Sequence, residues 1–180
     1  WEKSADGLTW TFYLRKGVKF HDGGMLTAQT VKDSFDRTKT MKKGASFILG
    51  PINEIKALDD QTVQFNLKSV APLERIVASA YAAWIISPKA VGKDQKWFDA
   101  GNEAGSGPYM LESSKPDEEI ILKKFDGYWG GWSKPHFDRI VVKIVKEAAV
   151  QEQMIDSGVA DLGNRIPVES SKAFDQKECC

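Results

Sequence analysis

Between positions 8 and 14 apolar and polar residues alternate. Leu8, Trp10, Phe12 and Leu14 fall on one side, and Thr9, Thr11 and Tyr13 on the other. A period of two in residues that favour extended backbone predicts a strand with one buried face. Lys16-Gly17 then turns the chain, and 18–20 is expected to return as a short antiparallel partner. His21-Asp22-Gly23-Gly24 ends that segment, because Asp-Gly and Gly-Gly supply the left-handed angles of tight turns.

The period changes after Met25. Ala28, Val31 and Phe35 share one face of a helix, Thr27 stands at its N-cap, and Leu26 is placed to pack on Val31. The spacing predicts a helix over 28–37. An apolar patch at 47–49 sits in the loop that follows. Residues 52–58 and 62–67 flank Asp59-Asp60-Gln61, and Val63, Phe65 and Leu67 alternate, so this region reads as a hairpin. Pro72 opens a short helix carrying Leu73, Ile76 and Val77. The apolar stretch 81–88, starting at Tyr81, reads as extended and ends at Pro88.

Residues 91–108 carry the weakest pattern and mark the best candidate boundary. Beyond it, strands are expected at 109–112, 120–124 and 140–145, with a helix at 147–157 stopped by Gly158 and a further strand at 159–162. The result is an α+β chain of hairpins and small sheets with helices packed on them.

Composition narrows the function. The 180 residues hold 25 basic and 25 acidic side chains, and 42% are hydrophobic. A balanced charge argues against nucleic acid or an anionic membrane as partner, since both select clustered Lys and Arg. No apolar run is long enough to span a bilayer. The chain begins at Trp1 and is read as a fragment whose parent carries any targeting signal. Cys179 and Cys180 are adjacent, too close to bridge each other well, and no further ligands stand near enough to make a metal site with them.

Few residues suit catalysis. The two histidines, His21 and His136, each sit beside a turn signal, and the sequence holds no G-x-S-x-G, H-E-x-x-H or C-x-x-C frame. His21 and Asp22 are therefore expected to bond backbone groups at a hairpin end. "GSGP" at 105–108 lacks the spacing of a phosphate-binding loop and is read as a hinge or a tight entry into a strand. Asp59-Asp60 and Asp117-Glu118-Glu119 read as solvated charge in turns. The aromatics carry more. Tyr81 and Trp84 lie among Ala80, Ala82 and Ala83, where small residues let a ligand approach and the rings supply contact area at low entropic cost. A buried strand packed by alanine is the competing reading. Trp129 and Trp132, in a glycine-rich loop with Tyr128, cover a core edge or meet a partner.

Taken in order, "DGLTWTFYLRKGVKFHDGGMLTAQTVKDSFDR", "GSGPYML", "FDGYWGG", "PHFDRIVVKIV" and "MIDSGVADLG" resemble the family 5 extracellular solute-binding proteins, the dipeptide-, oligopeptide- and nickel-binding receptors of ABC importers. Gln29 and Thr30 depart from the pattern, since the family usually has acidic residues at that helix start. The resemblance implies a type II periplasmic-binding-protein-like fold with its second lobe absent. Residues 1–88 would form the small α+β subdomain of the first lobe, 89–106 a connecting loop, and 107–180 part of the first-lobe α/β core. It implies no enzyme, no cofactor and no metal site. Instead it implies a monomer that binds a small solute outside the cytoplasmic membrane, periplasmic or lipid-anchored, and passes it to the membrane subunits of an ABC permease. A peptide is the first choice of solute, with nickel or another metal chelate, heme or an oligosaccharide as alternatives. The cleft-lining candidates it implies are Tyr81 and Phe47, joined by Trp84 from the aromatic reading. A secreted hydrolase using His21 or His136 with a nearby acid is the alternative from a different class.

Overall fold

The computed structural model describes residues 1–79, 81, 83–164, 166–168 and 170. Cys179 and Cys180, and the small residues Ala80 and Ala82, lie outside them. The first sheet contains β1 (Glu2–Lys3), β2 (Thr9–Tyr13), β3 (Ile52–Ala57) and β4 (Thr62–Leu67), in the order β1-β2-β4-β3 with every neighbour antiparallel. The expected alternation holds along β2 and β4. Trp10, Val63 and Phe65 are buried and Phe12 packs beside them, while Tyr13 is exposed.

Helix α1 (Ala28–Met41) covers that apolar face with Val31 and Phe35. The Phe35 and Phe12 rings meet Phe65 edge-on, at centroid distances of 5.2 and 5.6 Å. Each such side chain contributes roughly 1.5–3 kcal/mol through removal from water. Thr27 caps the helix as its sequence demands, accepting the Thr30 N–H. The helix outruns the expected 28–37. The Thr38 hydroxyl bonds back to the Ser34 carbonyl, and the Lys39 amine reaches the carbonyls of Ile52 and Asn53, tying the extra turn to β3. It ends at Lys42, which takes the left-handed conformation more often given to glycine.

The expected partner of β2 is corrected. β2 pairs with β1 and β4, and 18–20 folds on its own loop instead. Lys19 bridges Met25, the Phe20 N–H bonds the Gly24 carbonyl and the Leu26 N–H bonds the Val18 carbonyl. Gly17, at φ +74°, turns the chain away from the end of β2, and Val18 and Phe20 in the loop so formed are buried. Alternation announced a strand but could not name the strand beside it.

A 3₁₀ turn at Gly44–Leu49 leads into β3, and α2 (Leu73–Ala78) follows β4 with Leu73 fully buried. The 91–108 stretch contains α3 (Gln95–Asp99), capped by the Asp94 carboxylate on the Trp97 N–H. The second sheet is a meander of β5 (Tyr109–Lys115), β6 (Glu119–Lys124) and β7 (Arg139–Lys143), all antiparallel. After α4 (Ala148–Asp156), the strand expected at 159–162 does not form. The N–H groups of Val159 and Ala160 both bond the Met154 carbonyl, so the chain curls back on the end of the helix and offers no ladder. Among the described residues, none beyond Ala104 is buried.

Candidate functional site

Three pieces of chain surround a hollow of about 200 Å³. The last turns of α1 supply Arg37, Thr38 and Met41, the start of the 3₁₀ turn supplies Lys43 to Ser46, and the segment after α2 supplies Tyr81 and Trp84. Tyr81 and Trp84 are 75% and 65% exposed. This overturns the reading of their segment as a buried strand packed by alanine: the rings face solvent at the wall of a depression. Phe47 is 78% exposed on the same 3₁₀ turn, but it does not line the hollow. The structure thus brings two of the three candidates together and leaves the third beside them.

The segment bearing Trp84 is held from below. Ser34, buried in α1, donates its hydroxyl to the Thr30 carbonyl at 2.8 Å and accepts the Ile86 N–H at 3.1 Å. Ser87, fully buried, donates its hydroxyl to the Asp22 carboxylate, and its N–H reaches the Ala104 carbonyl at 3.0 Å. The Lys89 amine bonds the Asp22 carbonyl at 2.9 Å. Burial pushes the Asp22 carboxyl up. The Ser87 hydroxyl, the Gly24 N–H and the Lys89 charge more than offset that and hold it below the usual carboxylate value. A side chain at Gly24 would crowd this knot, since a Cβ would stand 3.0 Å from Asp22 Oδ1 and 3.2 Å from Ser87 Oγ.

His21 lies one residue from this knot. Its Nδ1 is 2.8 Å from Glu103 Oε2 and its Nε2 is 2.9 Å from the Gly107 carbonyl, with the ring edge-on to Phe125 at 4.8 Å. The His21 N–H bonds the Gly105 carbonyl, and a Cβ on Gly105 would press to 3.3 Å from His21 Cε1. The expectation that His21 bonds backbone at a hairpin end is therefore corrected in scale. One partner is a carbonyl, the other is a carboxylate, and both come from the 91–108 stretch itself, more than eighty positions away. Asp22 keeps the local turn bond, to the Gly24 N–H at 2.8 Å.

This geometry bears on catalysis. Ser87, His21 and two carboxylates stand close together, but the serine hydroxyl goes to Asp22 and both histidine nitrogens are engaged by other oxygens. No nucleophile–base hydrogen bond joins serine to histidine, as covalent catalysis requires. His136 bonds the Lys134 carbonyl through Nδ1 and lies against Trp132. Trp129 donates to the Ser106 carbonyl and stacks under Arg15 while 42% exposed, and Trp132 donates to the Phe125 carbonyl, so both indole N–H groups are bonded within the chain. Among the described residues no cluster of three metal-ligating side chains occurs, and no helix is long and apolar enough to cross a membrane.

The family model for bacterial extracellular solute-binding proteins, family 5 middle region, matches residues 1–178. The chain belongs to this family. Among its relatives, the probable D,D-dipeptide-binding periplasmic protein DdpA of Escherichia coli (strain K12) is 35% identical, across 98% of this chain and 35% of its own. The dipeptide-binding protein of the same strain is 36% identical, across 84% of this chain and 32% of its own. Of the solved structures, the PBP AgaA from A.tumefacien R10, in complex with agropinic acid, superposes with a TM-score of 0.85 at 28% identity, over 98% of this chain and 36% of that one. The chain thus spans about a third of the length of the relatives it matches. The mixed α+β architecture with small antiparallel sheets is that of the family 5 binding proteins.

Sequence reasoning missed Ser34, Ser87 and Glu103. Each is an ordinary polar residue in its own neighbourhood, and only the folded chain gives it a partner more than fifty positions away. A serine on the apolar face of α1, one position from Phe35, was the single readable clue.

Proposed function

We propose that this chain is part of the substrate-binding component of an ABC importer, capturing a peptide or similar small solute outside the cytoplasmic membrane and delivering it to the permease subunits. The observation that carries this reading is the exposed Tyr81–Trp84 pair on a hollow whose floor is pinned by Ser34 and Ser87, in a chain of the family 5 receptors. Exposed aromatics on a rigid base offer a ligand large contact area while losing little rotamer freedom. Membership of a family whose relatives are named for dipeptide binding supports a peptide, and the AgaA complex with agropinic acid keeps other small polar solutes within reach. In this reading residues 1–88 are the small subdomain of the first lobe, 89–106 connect, and 107–180 belong to that lobe's core. Solute is held between this surface and an opposing lobe, and no bond in it is made or broken.

Titration calorimetry on the full-length protein, against a panel of di- and tripeptides, tests the proposal. Tyr81→Ala and Trp84→Ala are each expected to cost about 1–3 kcal/mol, roughly a five- to hundred-fold loss of affinity, with Phe47→Ala at the lower end. Unchanged affinity in all three variants would remove this surface from the site. Turnover of any bound peptide would overturn the receptor reading itself.

A further inference from the structure

The ring of His21 is almost sealed, with 5% of the side chain exposed, and each of its nitrogens faces an oxygen. The Gly107 carbonyl is purely an acceptor, so Nε2 must donate to it. The Glu103 carboxylate is an acceptor too, so Nδ1 must also donate. A neutral imidazole carries a single N–H and satisfies one of the two. Protonation of Glu103 would relieve the conflict, but that side chain keeps 29% of its surface open to water, where a carboxylate is well hydrated. From this arrangement we infer that His21 is held as an imidazolium ion and works as a proton-dependent tie between the loop after β2 and the chain that leads into β5.

The tie is placed to matter. His21 sits inside the 18–26 loop that follows β2, Gly107 lies two residues before β5, and Phe125 follows β6. Other ionisable groups around the ring are accounted for. The Asp22 carboxylate is turned to Ser87 and Gly24, Lys89 reaches the Asp22 carbonyl, and beyond Phe125 Lys124 pairs with Asp126 and Asp138. Glu103 is left as the counter-charge to the ring. Other links across this junction, the His21 N–H on the Gly105 carbonyl, the Ser87 N–H on the Ala104 carbonyl and Arg15 on Trp129, do not change with pH in the range where histidine titrates. When the ring gives up a proton, one of its two bonds must be lost inside a nearly closed site, and a buried polar group without its partner is costly. The folded state therefore holds the extra proton, and the stability that the tie supplies is present at lower pH and lost as pH rises.

The test is nitrogen NMR of histidine-labelled full-length protein. The His21 signals are assigned by their loss in His21→Gln or, should that variant fail to fold, by their shift in Glu103→Gln. At about pH 7 the wild-type ring should show two protonated nitrogens, whereas His136 serves as an exposed internal reference. In Glu103→Gln the amide can donate to Nδ1, so a neutral ring keeps both bonds. That variant should show one protonated nitrogen and a melting temperature nearly flat between about pH 6 and about pH 9, where the wild type falls by several degrees. A neutral wild-type His21 at about pH 7, or identical pH profiles for the wild type and Glu103→Gln, would overturn the inference.

Discussion

On β4 of the first sheet Phe65 is 2% exposed, whereas on β7 of the second sheet Val142 is 44% exposed. Both strands are short, antiparallel and rich in residues that favour extended backbone. They differ in pattern and in cover. β4 alternates, sending Val63, Phe65 and Leu67 under α1 and Thr62, Gln64 and Asn66 outward. β6, the centre of the second sheet, runs Ile120, Ile121 and Leu122 consecutively and so is apolar on both faces. That is the pattern of a strand covered on both sides, yet all three side chains here are only half-buried. A strand's alternation therefore reports how many of its faces need cover, independently of whether cover is present.

The contrast is open to direct attack by substitution. Phe65→Ala removes a ring packed against both Phe12 and Phe35, and should cost about 3–5 kcal/mol in denaturant unfolding of the 180-residue chain. Ser34→Ala comes next. It strips the Ile86 N–H of its acceptor beneath the Trp84 segment, at a cost of roughly 1–3 kcal/mol. Val142→Ala should be mildest, below about 1 kcal/mol, because the side chain it trims is nearly half in water. Equal costs for Phe65→Ala and Val142→Ala would erase the distinction between the sheets. Repeating Val142→Ala in the full-length protein sharpens it, since a higher cost there would locate a layer packed over β7.

Much of this architecture was legible in the residues, and the failures share a cause. The strands at 8–14, 52–58 and 62–67, the capped helix after Thr27 and the helix opened by Pro72 all follow from periods and caps, which act over a few residues. What misled was long-range. β2 passes over the nearby 18–20 to pair with β4, because Gly17 takes the intervening chain out of the sheet. The strand expected at 159–162 failed for the opposite reason, since the Met154 carbonyl captured its N–H groups locally. At the candidate site Tyr81 and Trp84 stood out as aromatics among small residues, and they do share a hollow. The side chains that set their position, Ser34, Ser87 and Asp22, meet across 52 to 65 positions, a relation no local pattern encodes.

The order of strands in the first sheet also fixes an order of events. Thr9 on β2 meets Asn66 on β4, a separation of 57 positions, so the centre of that sheet cannot form until a long stretch of chain has been gathered in. The second sheet needs far shorter closures, because Lys115 already faces Glu119 across the turn between β5 and β6, and β7 joins β6 with partners 16 to 24 positions apart, from Lys123 with Arg139 to Glu119 with Lys143. Closing a loop costs entropy before any contact rewards it, and non-local pairing slows folding accordingly. The meander is thus the fast-forming half, yet the lasting protection of backbone amides falls to the late-forming half, where helix α1 seals β4 from water.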